Sequence, residues 1–295
     1  MIPDLEFYKP AELKDALALL HEAVNKKANS RLVKPIAGGT DILPGFHQGS
    51  SRFMKITGLV DITGIAGLKK IEKQDDHLHL GAGLTFSEIE LNREINNGFP
   101  LLSKAAATIG SRQIRNRATI AGNFVNNAPC ADSITPLLVY NARVVIQSAR
   151  ERRELSLEDF LVKPYQTRLQ ADELITGILL PIVPENYRGD FYKLGRRRAV
   201  AISRITLAVL GQVENNTFRD LRIASGAITP VGKRFPRLEK AVYGEKVSEQ
   251  LFKSVARELG SRILEITGLR WSTPHKLPVV QQALYQLLCK TFLKE

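Results

Sequence analysis

Residues 110–136, GSRQIRNRATIAGNFVNNAPCADSITP, constrain this chain more than any other stretch. They mix glycine, asparagine and arginine with few bulky apolar side chains. Such a segment is poor core material and suits a loop that wraps a polar ligand. An alanine-rich helix over 101–108 leads into it, and a strand at ARVVIQS follows it. The ligand-wrapping segment therefore hangs between regular elements.

The rest of the chain alternates helix and strand patterns. Leu13, Ala16, Leu17, Leu20 and Val24 recur at helical spacing and predict an amphipathic helix over 11–24, with Pro10 in its first turn. RLVKPIA reads as a strand, and so does FMKITGLVDI. LKKIEKQDDHLHLGAG reads as a hairpin turning at Gln74-Asp75-Asp76. Thr85 and Glu88 have the capping-box spacing that opens a helix. A further strand lies at ELITGILLPI, and composition shifts between Pro181 and Pro184. Beyond that shift, a hairpin turns at Asn215-Asn216 and two or three helices finish the chain. The last carries Val280, Ala283, Leu284, Leu287 and Leu288 on one face. With 295 residues there is material for two domains, 1–180 and 186–295.

Composition removes several classes. The net charge of +12 favours polyanionic partners: nucleic acid, anionic cofactors or acidic subunits. The charge is spread out, however, and its densest cluster, Arg196-Arg197-Arg198, follows an aromatic pair and is not a basic tail. A nucleic-acid role is not expected. No stretch approaches the run of about 18 apolar residues that a membrane helix needs, and MIPDLEFYKP is no secretory signal. A cytoplasmic protein is the expectation. Cys130 and Cys289 are too few for an iron–sulfur cluster, which takes about four thiolates. His77 and His79 share one face of a strand but lack a third ligand.

Three short patterns can carry chemistry. Ile36-Ala37-Gly38-Gly39-Thr40-Asp41-Ile42-Leu43 sits at a strand end. Adjacent glycines allow either a tight turn or a nest of N–H donors for a pyrophosphate. Thr119-Ile120-Ala121-Gly122-Asn123 again joins a hydroxyl, a glycine and an amide, and reads as a second nest or as a surface turn. Asp132 either caps the helix running to Tyr140 or accepts hydrogen bonds from a ribose. GAGLTF ends in Phe86 where a dinucleotide fingerprint needs its third glycine, and no P-loop is present.

Taken together, IAGGTDIL, IGSRQIRNRATIAGN, PCADSITP, ADELITGILLP and FYKLGRRRAVAIS resemble the FAD-binding medium subunit of the xanthine dehydrogenase and carbon monoxide dehydrogenase family. The resemblance spans nearly the whole chain. It implies an α+β fold: an α/β-type, vanillyl-alcohol-oxidase-like FAD-binding region of two subdomains split near 57–60, then an α+β carboxy-terminal domain with an antiparallel sheet. It implies FAD held at its pyrophosphate by residues 36–43 and 119–123, and at its adenosine by Asp132. Ile109 and Gly110 line the cofactor. Ile175 and Lys193 lie near the flavin ring, and Tyr192 shields one ring face. The implied partners are an iron–sulfur subunit with two 2Fe–2S clusters and a molybdopterin-binding large subunit. The implied acceptor is NAD, with oxygen or a quinone as alternatives. A free-standing flavin reductase or oxidase is the rival reading. One departure is Ala121, which stands where the family loop T-I-G-G-N has its first glycine.

Overall fold

The computed structural model describes residues 4–25, 32–197 and 199–293. The start of the amino-terminal reading (residues 1–3), Arg31 of the strand read as RLVKPIA, and Arg198 of the arginine cluster lie outside the described residues.

The chain opens with a three-stranded sheet of Glu6–Tyr8, Val33–Ile36 and Gly58–Asp61, with the last strand in the centre. Both pairings are parallel. Parallel neighbours need a long crossover, and the helix Leu13–Asn25 lies in the first one, burying Ala16, Leu17 and Leu20. The helix begins three residues after Pro10, so Pro10 precedes it and does not sit in its first turn. The strand read over 53–62 shrinks to Gly58–Asp61, because Phe53 turns back to meet the Phe46 ring edge-on at 6.2 Å. A split near 57–60 would cut this central strand, whose Leu59 and Val60 are buried.

A second sheet follows, with strands Ile71–Lys73, His77–Gly81, Leu174–Pro181, Arg143–Gln147 and Arg152–Ser156 in that spatial order. Every pairing in it is antiparallel. Alternation sends Leu78, Leu80, Val144, Ile146, Ile178 and Leu180 to one face. They share a core there with residues of the helices Phe86–Leu91, Arg93–Gly98, Pro100–Ala107, Ile120–Asn126 and Ile134–Val139. The capping box is formed: Thr85 caps Glu88, and the Glu88 carboxylate accepts from the Thr85 N–H at 2.7 Å.

The third sheet is antiparallel, in the order Tyr187–Gly195, Ser203–Glu214, Thr217–Gly226, Lys233–Arg234. Its hairpin turns at Asn215 and Asn216, whose φ values of 50° and 57° suit asparagine. One face places Ala208, Leu210 and Ala224 in the same core as the helices of the second unit. The other buries Ile205, Leu207, Val209 and Ile223 against the helices Pro236–Val242, Glu249–Thr267 and Thr273–Leu288. The helices Pro100–Ala107 and Ile134–Val139 are thus a layer between two antiparallel sheets. Among the described residues, no helix is long and apolar enough to cross a membrane.

Residues 110–136 are not the bare loop that their composition suggests. Short helices at Arg112–Arg115 and Ile120–Asn126 interrupt them, each capped by a hydroxyl: Ser111 accepts from the Ile114 N–H at 3.3 Å and Thr119 from the Gly122 N–H at 3.2 Å. Capping satisfies amides that composition alone leaves unpaired.

Candidate cofactor site

The first cradle is built around a backbone approach that only glycine allows. A Cβ on Gly38 would stand 1.9 Å from the carbonyl oxygen of Arg117. The loop after strand Val33–Ile36 therefore lies directly on the backbone that leads into Thr119. Gly39 follows with φ +71°, the left-handed region. Among the described residues, the N–H groups of Gly38, Gly39 and Thr40 are donated to no protein acceptor. Ile36 and Ala37 close the strand side. Ile42 and Leu43 open the helix Ile42–His47, where the Leu43 N–H reaches the Gly39 carbonyl at 3.1 Å. Asp41 occupies the N-cap position but makes no cap bond.

The second cradle is organised differently. The N–H groups of Ile120, Ala121, Gly122 and Asn123 all have protein acceptors: Leu84 O at 2.9 Å, Ala82 O at 3.3 Å, Thr119 Oγ1 at 3.2 Å and Thr119 O at 3.1 Å. What it offers is the Thr119 hydroxyl proton and the Asn123 amide N–H, since Asn123 Oδ1 already accepts from Ser133 at 2.7 Å. Ala121 lies in the helix and outside the left-handed region, so its methyl causes no backbone strain. A cavity of about 70 Å³ joins the cradles, lined by Gly38, Thr63, Thr85, Asn116 and Thr119 among others.

Asp132 turns out not to be a helix cap. Ser133 occupies the N-cap position of Ile134–Val139 and makes no cap bond. The buried Asp132 carboxylate instead accepts from Lys193 Nζ at 2.6 Å and from the Ser203 hydroxyl. Lys193 also donates to the Thr108 carbonyl at 2.8 Å. Burial pushes the Asp132 carboxyl above its ordinary range, with Lys193 and Ser203 pulling the other way. Ile109, buried, and Gly110, at φ +50°, continue from Thr108 into this corner. Ser203 escaped sequence reasoning; its only signal is its place at the end of FYKLGRRRAVAIS. Burial, reinforced by Asp132, pushes the neighbouring Cys130 thiol up, which argues against a reactive thiolate.

Two placements differ from what the resemblance implies. Asp132 and Lys193, which the resemblance assigns to the adenosine and to the flavin ring, are in direct contact. Tyr192 and Lys193 are consecutive on one strand and face opposite ways. Lys193 meets the helical layer, whereas Tyr192 packs against the core under the carboxy-terminal helices. Ile175 is buried in the core of the second unit, beside a bulge in strand Leu174–Pro181. The other residues form one continuous line: Gly38 on Arg117, then Thr119, Asn123, Ser133, Asp132, Lys193 and Thr108. Among the described residues, no group of three or more His, Cys, Asp or Glu side chains could hold a metal ion.

Residues 3–183 match the family described as the FAD binding domain in molybdopterin dehydrogenase. Residues 190–291 match the CO dehydrogenase flavoprotein C-terminal domain. The xanthine dehydrogenase FAD-binding subunit of Escherichia coli O157:H7 is 31% identical over 266 residues, 90% of each chain. The nicotinate dehydrogenase FAD-subunit of Eubacterium barkeri is 29% identical, over 96% of this chain and 95% of its own. Among solved structures, a chain of the carbon monoxide dehydrogenase of Hydrogenophaga pseudoflava superposes with a TM-score of 0.88 at 23% identity, covering 98% of this chain and 97% of that one. The fold, the glycine approach and these likenesses lead to one conclusion: the chain belongs to the FAD-binding subunits of the molybdopterin dehydrogenases, oxidoreductases of the xanthine and carbon monoxide dehydrogenase type.

Proposed function

We propose that this chain holds FAD along the line from Gly38 to Lys193 and relays electrons from an iron–sulfur subunit to NAD, in a complex whose molybdopterin-binding large subunit oxidises the substrate. The observation that carries this reading is the row of undonated N–H groups at Gly38, Gly39 and Thr40 beside the Arg117 backbone. Three free amides in a glycine turn fit a diphosphate, which supplies the missing acceptors. Thr119 lines the same gap as Gly38.

FAD, when bound, supplies the ability to take electrons singly and pass them on as a pair. The protein's part is to hold it and set its electrostatics. Lys193 and Asp132 serve the flavin end, where Thr108, Ile109 and Gly110 close the corner. Lys193 brings N–H donors to that corner, which can stabilise negative charge developing on the reduced ring. Asp132 and Thr108 fix the ammonium in place and limit its wandering.

The test begins with colour. The purified chain should be yellow, or should become so with added FAD. Anaerobic NADH added to the flavin-loaded chain should then bleach its visible band, since the acceptor reaction also runs backwards. A chain that takes up no FAD overturns the reading. A flavin that stays oxidised under NADH removes NAD as the acceptor. Bleaching of the isolated chain by an organic substrate of the complex would favour a free-standing reductase.

A further inference from the structure

The two cradles come from separate structural units, and one side chain ties them together. Arg52 lies in the turn between helix Ile42–His47 and strand Gly58–Asp61. Its neighbour Phe53 fixes that turn by packing where Gly45 leaves room: a Cβ there would stand 2.1 Å from the Phe53 ring. The Arg52 guanidinium donates Nη2–H to Asp41 Oδ2 at 2.6 Å and Nη1–H to Asn126 Oδ1 at 3.1 Å. Its carbon stands 4.1 Å from the Tyr165 ring centroid and 4.6 Å from that of Phe53. Tyr165 is held in turn by its N–H to the Asn127 carbonyl at 3.0 Å.

Each partner has a meaning for the site. Asp41 follows directly on the amides of Gly38, Gly39 and Thr40. Asn126 ends the helix that Thr119 and Gly122 begin. We infer that Arg52 is a positioning residue that sets the gap between the two cradles and masks the Asp41 carboxylate from the diphosphate. The inference rests on the reading of those cradles as an FAD site. The planar fork explains the residue type. Arginine serves two acceptors in one plane and still offers its faces to aromatic rings, whereas a lysine ammonium is a point charge. Without Arg52, Asp41 becomes an unscreened negative charge next to the one group in the site that is itself an anion.

Three proteins decide it: wild type, Arg52→Ala and Arg52→Lys. FAD release is followed by flavin fluorescence after dilution, and the urea midpoint of each apo chain is measured alongside. Arg52→Ala should release FAD on the order of tenfold faster, the effect of losing a charge-assisted contact. Arg52→Lys should recover only part of that loss. Both apo midpoints should stay near wild type, since partly exposed ion pairs contribute little to stability. Wild-type retention of FAD by Arg52→Ala overturns the inference. So does full recovery in Arg52→Lys, which would make charge alone sufficient. Faster release matched by an equally large fall in the apo midpoint also overturns it, because Arg52 would then be a general prop. A wild-type chain that binds no FAD fails the earlier reading, and it is visible before any variant is made.

Discussion

Asp132 shows what a single residue contributes. Its carboxylate and the Lys193 ammonium are both nearly buried, with side chains 6% and 10% exposed. Removing one partner strands the other. Asp132→Ala should therefore lower stability by about 3–5 kcal/mol and weaken FAD retention by roughly 1.5–3 kcal/mol. Urea titration with and without FAD separates the two effects. Tyr192 makes the opposite case. Sequence resemblance sends it to the flavin, whereas strand alternation packs its partly buried ring against the carboxy-terminal core. Tyr192→Ala should lower the urea stability by about 2 kcal/mol and leave stopped-flow flavin reoxidation as in wild type. The sequence named Asp132 and Lys193 through their motifs, yet not their contact. They are 61 positions apart, and Ser203 is 71 from Asp132. Such pairings come from how sheets stack, which no local pattern records.

At the scale of elements, the two cradles should respond unequally to the same change. Gly38→Ala places a methyl into the Arg117 backbone, which cannot rotate away. It should cost about 1–3 kcal/mol and separate the cradles, so the purified variant should be colourless. Gly122→Ala meets only the Thr119 hydroxyl, at 2.9 Å. That side chain can turn, at the expense of its helix cap. The cost should be near 1 kcal/mol, with colour retained in the absorbance spectrum. Elements with strong periodicity were legible in the sequence. Both hairpins, the capping box and the apolar face of Thr273–Leu288 are where the patterns put them. The short helices inside 110–136 were not legible, because neither has a long apolar stripe: Arg112–Arg115 buries no residue and rests on the Ser111 cap, and Ile120–Asn126 adds to its Thr119 cap the burial of Ile120, Ala121 and Phe124.

At the scale of the molecule, Asp190 joins the layers. It lies on strand Tyr187–Gly195 and accepts from Lys104 on the helical layer and from Lys290 near the chain's end. Burial opposes its ionisation, but these two lysines and the Phe191 N–H outweigh burial and hold the carboxyl below its usual range. A carboxyl depressed in the folded state adds stability above its unfolded value of about 3.9, and that share is lost as pH falls through the lower folded value. Acid titration of the urea midpoint should show this loss, and Asp190→Asn should flatten it. The helical layer has a further consequence. Its helices Pro100–Ala107 and Ile134–Val139 face two sheets that are both completed after them, the second by Leu174–Pro181 and the third by Lys233–Arg234, so the corner at Asp132 stays open until the strand bearing Lys193 leaves the ribosome. Cofactor loading should accordingly be a late event in biosynthesis, and nascent chains halted before residue 186 should emerge colourless and sticky, with Leu101, Ile134 and Thr135, which pack on Gly189, Gly232 and Gly226, bare to water.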